Sequence, residues 1–175
     1  MKREINPFDY AGDIMKALPR GILLTSEAED CVNAMTIGWG TIGIEWNVPI
    51  FVAYVRTSRF TYELIERTGE FTICAPHGEL SQTAAKALAL CGTKSGRDMD
   101  KIAKAGLHLV EPEIVRPPAI KEFPLTLECR VVFSQLQPIK EITGKFSKFY
   151  MPNTAHSEPH VAYYGEILKA YIVED

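Results

Sequence analysis

Residues 54–65 read YVRTSRFTYELI and place two arginines and three hydroxyls between an apolar run and an apolar-periodic stretch. The apolar run has the pattern of a strand, and the periodic stretch that of a helix. Arg56 and Arg59 can make charge-assisted, bidentate bonds to phosphate oxygens. Thr57, Ser58 and Thr61 add hydroxyls, and the free N–H groups at the start of the following helix point to the same place. Together these form a phosphate cradle. The same residues also fit an ordinary helix cap by Ser58 with two solvated arginines, and this stretch alone weighs the two readings evenly.

A second stretch tips the balance towards an anion. Residues 91–101 read CGTKSGRDMDK, a polar, glycine-bearing loop. Its Lys94, Ser95, Arg97 and Lys101 face a helix start expected near Asp98, which repeats the logic of the first corner. A solvated interhelical loop is the plainer alternative.

Other patterns carry less. Gly38, Gly40 and Gly43 match the dinucleotide fingerprint G-x-G-x-x-G, but IEWNVPIF follows where a helix would have to begin. Those glycines suit a bend, a bulge or the close approach of a flat ligand. His156 and His160 have the spacing of a zinc pair, yet Pro159 between them argues against the helix that would align them. No metal site is expected. A Walker loop and a G-x-S-x-G elbow are both absent, which removes the usual anchors of phosphoryl transfer and serine hydrolysis.

These corners need a scaffold, and the apolar, β-branched runs supply one. Strands are predicted from Gly21, Asn33, Pro49, Glu70, Pro124 and His160. The last two are long and alternate apolar with polar residues, as bent strands of a barrel do. Helices are predicted in FTYELIERTG, ELSQTAAKALALCG and DMDKIAKAG, each ending in a glycine suited to a left-handed cap. Strands in sequence with helices inserted favour a mainly β, antiparallel barrel with peripheral helices.

The chain has 175 residues, 46% of them apolar and 23% charged, with a net charge of -3. One domain over residues 1–175 is expected at this length. The weakly acidic balance offers no basic face for nucleic acid. The first 21 residues lack the apolar core of a secretory signal, and no run approaches the about 18–20 apolar residues of a membrane span. The expectation is a cytoplasmic protein with no membrane partner. Cys31, Cys74, Cys91 and Cys129 are too widely spaced for C-x-x-C chemistry, so buried thiols are expected. Cys91, beside a glycine in a polar loop, is the one left open.

Taken in order, NAMTIGWG, VRTSRFTYELI, GEFTIC, CGTKSGRDMDK, AGL and H-x-x-x-x-GEI resemble the flavin reductase-like proteins with an FMN-binding split barrel. The likeness is greatest to their flavoredoxin branch and runs from about Gly21 to the C-terminus. Each piece is weakly specific, but the ordered set is strongly so. The resemblance implies a six-stranded antiparallel split β-barrel of Greek-key type, a homodimer, and one FMN per subunit near the dimer interface. It implies that Asn33, Met35, Thr36 and Trp39 line the flavin ring. It also implies that Arg56, Thr57, Ser58, Arg59, Thr61 and Tyr62 hold the phosphate and ribityl chain. Cys91, Gly92, Ser95, Gly96 and Arg97 would lie beside the flavin, and His160 near the nicotinamide or the ring face. FMN suits the groups better than FAD, since no third basic cluster remains for an adenylate pyrophosphate.

The expected activity is hydride transfer from NAD(P)H, a small nucleotide substrate, to FMN and on to an acceptor. His160 would orient the nicotinamide or deliver a proton; a strand-end histidine satisfied by backbone is its plain alternative. A second reading is a flavin electron carrier that docks to an iron–sulfur or haem redox protein without efficient NAD(P)H turnover. A third is an FMN-binding or storage module.

Overall fold

Apolar residues two apart on successive strands decide the architecture, because each strand turns one face inward and the other outward. The computed structural model describes residues 1–150 and 157–174. In chain order its elements are β1 (Lys2–Glu4), α1 (Ala11–Ala17), β2 (Ile22–Ala28), β3 (Cys31–Ile37), β4 (Gly40–Glu45), β5 (Val48–Arg56) and α2 (Phe60–Thr68). They continue with β6 (Glu70–Ala75), α3 (Gln82–Thr93), α4 (Lys101–Ala105), β7 (Leu109–Val110), β8 (Ala119–Ile120), β9 (Leu125–Leu136) and β10 (His160–Val173). Among these residues no helix is long and apolar enough to cross a membrane.

One antiparallel sheet runs β3-β2-β6-β9-β10-β5-β4, with β1 paired to β10. The inward residues Leu24, Met35, Phe51, Val55, Ile73, Leu127 and Tyr163 come from six strands and meet in one cluster. The sheet is therefore coiled around its core, yet β3 and β4 at its two ends do not pair, so the barrel stays split. The long strand β10 serves two neighbours, pairing with β5 from His160↔Arg56 to Glu166↔Ile50 and with β9 along nearly its whole length. Its register shifts at Tyr164/Gly165. A Cβ at Gly165 would stand 2.5 Å from the Phe71 ring, so only glycine lets the strand bend over the core there.

The outer face of β2, β3 and β6 is covered. Leu23, Ala34 and Cys74 pack against Ala84, Ala87, Leu88 and Cys91 of α3 and Ile102 of α4. This is what fixes the end of α3 and the loop after it beside β3. A second anchor is Glu128, fully buried on β9, which accepts N–H bonds from Glu113 (2.8 Å), Ile114 (2.7 Å) and Val115 (3.2 Å). Tyr171 donates its hydroxyl to the same carboxylate at 2.8 Å. The long connection between β7 and β9 is thereby tied to the sheet.

The sheet has eight strands where six were expected. The main addition is β4, joined to β5 by a two-residue turn at Trp46 and Asn47, whose φ values are 50° and 61°. A turn of this type usually announces itself with Asn-Gly; Trp-Asn hides it. The glycines Gly38, Gly40 and Gly43 lie before and within this strand, with no helix after them. Gly69 and Gly106 do end α2 and α4 in the left-handed conformation (φ 66° each). Gly92 does not end its helix, which runs on to Thr93. Its missing side chain serves a close approach instead, since a Cβ there would lie 3.4 Å from Cβ of Thr36. The cap of α4 is Asp100, not Asp98, accepting from Ile102 and Ala103 N–H at 3.0 Å each.

Candidate functional site

The two anion-binding stretches meet in space. The start of α2, the end of α3, the loop after it and β3 enclose a cavity of about 110 Å³. Asn33, Met35, Thr36, Ser58, Arg59, Phe60, Thr61, Cys91, Gly92, Lys94, Ser95, Gly96, Arg97 and Lys101 line it. A second cavity of about 320 Å³ continues from it, lined by residues 35–39 together with Tyr54, Arg56, Arg59, Phe149 and His160. Met35, Thr36 and Arg59 line both, so the two form one groove with a small polar end and a larger aromatic end.

The small end is cationic. It holds Arg59, Lys94, Arg97 and Lys101 and no carboxylate. Arg59 sits at the N-cap of α2, and no side chain caps that helix, so its first N–H groups stay available. Lys101 is 4% exposed, and among the described residues its ammonium donates only a long bond of 3.5 Å, to the Cys91 carbonyl. Burial pushes the Lys101 ammonium below its ordinary pKa, and the nearby Arg59 adds to the effect. Arg97 is engaged at the rim, donating to the Ser58 carbonyl at 3.2 Å and to the Glu63 carboxylate while lying over the Phe60 ring. Asn33 is buried and donates to the Thr61 hydroxyl at 2.8 Å, which leaves that hydroxyl a proton to give. A Cβ at Gly96 would fall 2.2 Å from Oδ1 of Asn33, so the loop can close on β3 only with glycine there.

The large end is aromatic. Trp39 stands edge-on to Phe149, with centroids 5.4 Å apart, and lies 4.9 Å from the His160 ring. Arg56 is buried and donates to the carbonyls of Glu158 (2.9 Å) and Phe149 (3.3 Å), with its guanidinium 5.3 Å from the Tyr150 ring centroid. It fastens the segment before β10 to the end of β5. Nδ1 of His160 shares a 2.8 Å hydrogen bond with the Tyr150 hydroxyl. Burial, then the charges of Arg56 and Arg59, lower the His160 pKa to about 4.

Of the residues chosen from sequence, Thr57 and Tyr62 line neither cavity. The Thr57 N–H donates to the Pro159 carbonyl at 3.1 Å, and Tyr62 packs on the main core. Arg56 lines the aromatic end and stands outside the cationic one, so the pair of arginines read as one cradle is divided between two tasks. Ser58 is not the helix cap; Arg59 occupies that position. Cys91 lies in the last turns of α3, 2% exposed, and burial pushes its thiol up, so it is a packing residue at the cavity wall. Burial and the two arginines favour the neutral imidazole of His160 at physiological pH, in which one ring nitrogen carries a proton and the other accepts. His156, the other half of the zinc spacing, lies outside the described residues. Phe60, Tyr54 and Phe149 were missed. Tyr54 could have been found, two residues before Arg56 on one strand face; nothing local in the sequence brings Phe149 to the groove.

The lowered pKa of His160 makes acid sensitivity a test of its burial. In the unfolded chain the imidazole protonates near about 6.5, in the fold only near about 4, so its contribution to stability is present above the first value and is lost as pH falls towards the second. Thermal unfolding from pH 7 to pH 4.5 should show a falling Tm, with a shallower fall in His160→Gln. Equal slopes would place the imidazole in solvent.

The family model described as the flavin reductase like domain matches residues 15–175. An uncharacterised protein of Archaeoglobus fulgidus is 38% identical over 100 residues, covering 57% of this chain and 54% of that protein. The chain thus spans little more than half the length of that relative. Among solved structures, a flavoredoxin from Methanosarcina acetivorans superposes with a TM-score of 0.64 at 27% identity, covering 88% of this chain and 68% of its own. Flavoredoxin of Desulfovibrio vulgaris also gives 0.64, at 24% identity and with 88% and 69% covered, which speaks for the fold alone. With the match extending over nearly the whole sequence, the chain belongs to the flavin reductase-like domain family.

Proposed function

We propose that the cationic end of the groove holds the phosphate of FMN, that the aromatic end takes the flavin ring, and that the protein is an NAD(P)H-dependent flavin oxidoreductase. The observation that carries this reading is Lys101, a buried ammonium beside a guanidinium in a cavity without a carboxylate. Such a group lacks its counter-ion until an anion enters. A cavity of about 110 Å³ at the cationic end suits one phosphate. Arg59, reaching both ends, and the open N–H groups of α2 would complete the cradle. Met35, Thr36 and the backbone of Gly38 would lie along the ring, with Trp39 and Phe149 as its aromatic walls.

FMN, when bound, accepts a hydride from a nicotinamide and passes the electrons on. The chain's own share is positioning. With Nδ1 held by Tyr150, His160 has Nε2 left to orient the nicotinamide of the donor nucleotide. The carrier reading, with a redox protein in place of the nucleotide, is favoured by one observation: Trp39 and Phe149 are 39% and 41% exposed at the rim. The likeness to a 27% identical flavoredoxin points the same way.

The partner nearest to hand is a second copy. Ile50, Val52 and Ala162 form an outer apolar cluster on β5 and β10, and beside it Trp46 and Phe133 remain 56% and 46% exposed around Tyr164. An apolar face of this kind is what a homodimer covers. Light scattering at micromolar concentration should return twice the chain mass; a monomer that binds FMN normally would remove the partner from the site.

Two titrations test the cofactor and the activity. FMN should bind far more tightly than riboflavin, and Lys101→Met should weaken FMN by about 10- to 150-fold, the equivalent of about 1.5–3 kcal/mol, without changing riboflavin. The same substitution should raise the Tm of the FMN-free protein by a few degrees, because it removes a buried charge. Equal affinity for the two flavins would overturn the cradle. Mixing the FMN-loaded protein with NADH or NADPH without oxygen should bleach absorbance near about 450 nm. No bleaching with either nucleotide would transfer the case to the electron carrier.

A further inference from the structure

A third cavity, of about 1190 Å³, lies on the far side of Thr36. Thr36 lines all three cavities, and its hydroxyl donates to the Leu88 carbonyl of α3 at 2.7 Å, so a single fixed residue separates this space from the groove already described. One wall is α3, where Ala85 and Ala89 are exposed one turn apart around the buried Leu88. Small side chains at these positions leave a flat apolar surface where larger ones would fill the space. The facing wall is Ala17 with Lys16 and Arg20, and residues 76–80 close one end.

The charges on these walls are not equivalent. Lys16 is taken up by Asp13, at 3.7 Å on the same helix. Arg20 makes no ion pair among the described residues, so its guanidinium is open to an anion. Glu79, on the loop at the other side, is left as a hydrogen-bond acceptor. The volume lies above the about 300–1,000 Å³ of most small-molecule pockets, and the apolar floor of alanines and Leu88 meets a rim that carries Asp13, Lys16, Arg20, His77 and Glu79.

We propose that this cavity is a second ligand site, distinct from the cradle and groove, taking a planar aromatic anion whose acidic group pairs with Arg20 while its ring lies on the Ala85–Leu88–Ala89 wall. The proposal stands without FMN, because every residue it uses except Thr36 lies outside the other two cavities.

Anilinonaphthalene sulfonate, an aromatic anion with one N–H donor, is the probe. It should bind the purified chain saturably, one per subunit, with enhanced fluorescence. Ala85→Trp, which fills the slot from an exposed helix position, should abolish that signal, and Arg20→Glu should weaken it by about tenfold or more. Arg59→Glu, in the cradle, should leave the probe's affinity within about twofold, as should saturating FMN when the bound probe is counted by equilibrium dialysis. Binding that survives Ala85→Trp, or is displaced by FMN, or never saturates, would overturn the assignment.

Discussion

A buried ammonium beside a guanidinium, with no carboxylate among the described residues to answer either, is the constraint on which the rest of this structure turns. Lys101 and Arg59 come from the starts of two helices about a quarter of the chain's length apart and converge on one small cavity. Like charges in a poorly hydrated place repel and resist desolvation, so the arrangement costs stability in the ligand-free protein. It persists because the surrounding fold over-determines it. Lys101 is fixed by the cap at Asp100 and by packing of Ile102, and Arg59 by the turn that leaves β5. An anion would convert the cost into binding energy.

The coiled sheet explains why these parts meet. With β2 and β3 at one end of the strand order and β5 and β4 at the other, a sheet that curls without closing brings β3 near β5 and leaves a groove between them. Helices α2 and α3 reach the same place by different routes, α2 directly after β5 and α3 packed on β2, β3 and β6. The aromatic end depends on Arg56, which spends its donors on carbonyls of the segment before β10 and so holds Phe149 and Tyr150 beside Trp39 and His160. One arginine organises the groove; the other lines both of its ends.

Much of this was legible in the sequence. Arginines, hydroxyls and glycines at the two corners pointed to the residues that line one cationic cavity because their chemistry is local, and the left-handed glycines after α2 and α4 marked helix ends for the same reason. What escaped was whatever depended on distant packing. The turn at Trp46 and Asn47 lacks glycine and is stabilised by the hairpin it closes, so β4 was hidden. Gly92 looked like a helix end, and only the approach of Thr36 from β3 shows why a glycine is there. The division of labour between Arg56 and Arg59 follows from carbonyls some 90 to 100 residues further on, at Phe149 and Glu158, which no local pattern reports. The neutral state of His160 likewise arises from burial and from arginines on other elements.

The most direct test of the central claim is a crystal structure of the chain with FMN bound. The account predicts the phosphate in the cavity at the start of α2, within hydrogen-bonding distance of Lys101 Nζ and of Arg59, with the ring extending past Met35 and Thr36 towards Trp39. A phosphate held elsewhere, with Lys101 still turned only to the Cys91 carbonyl, would contradict it.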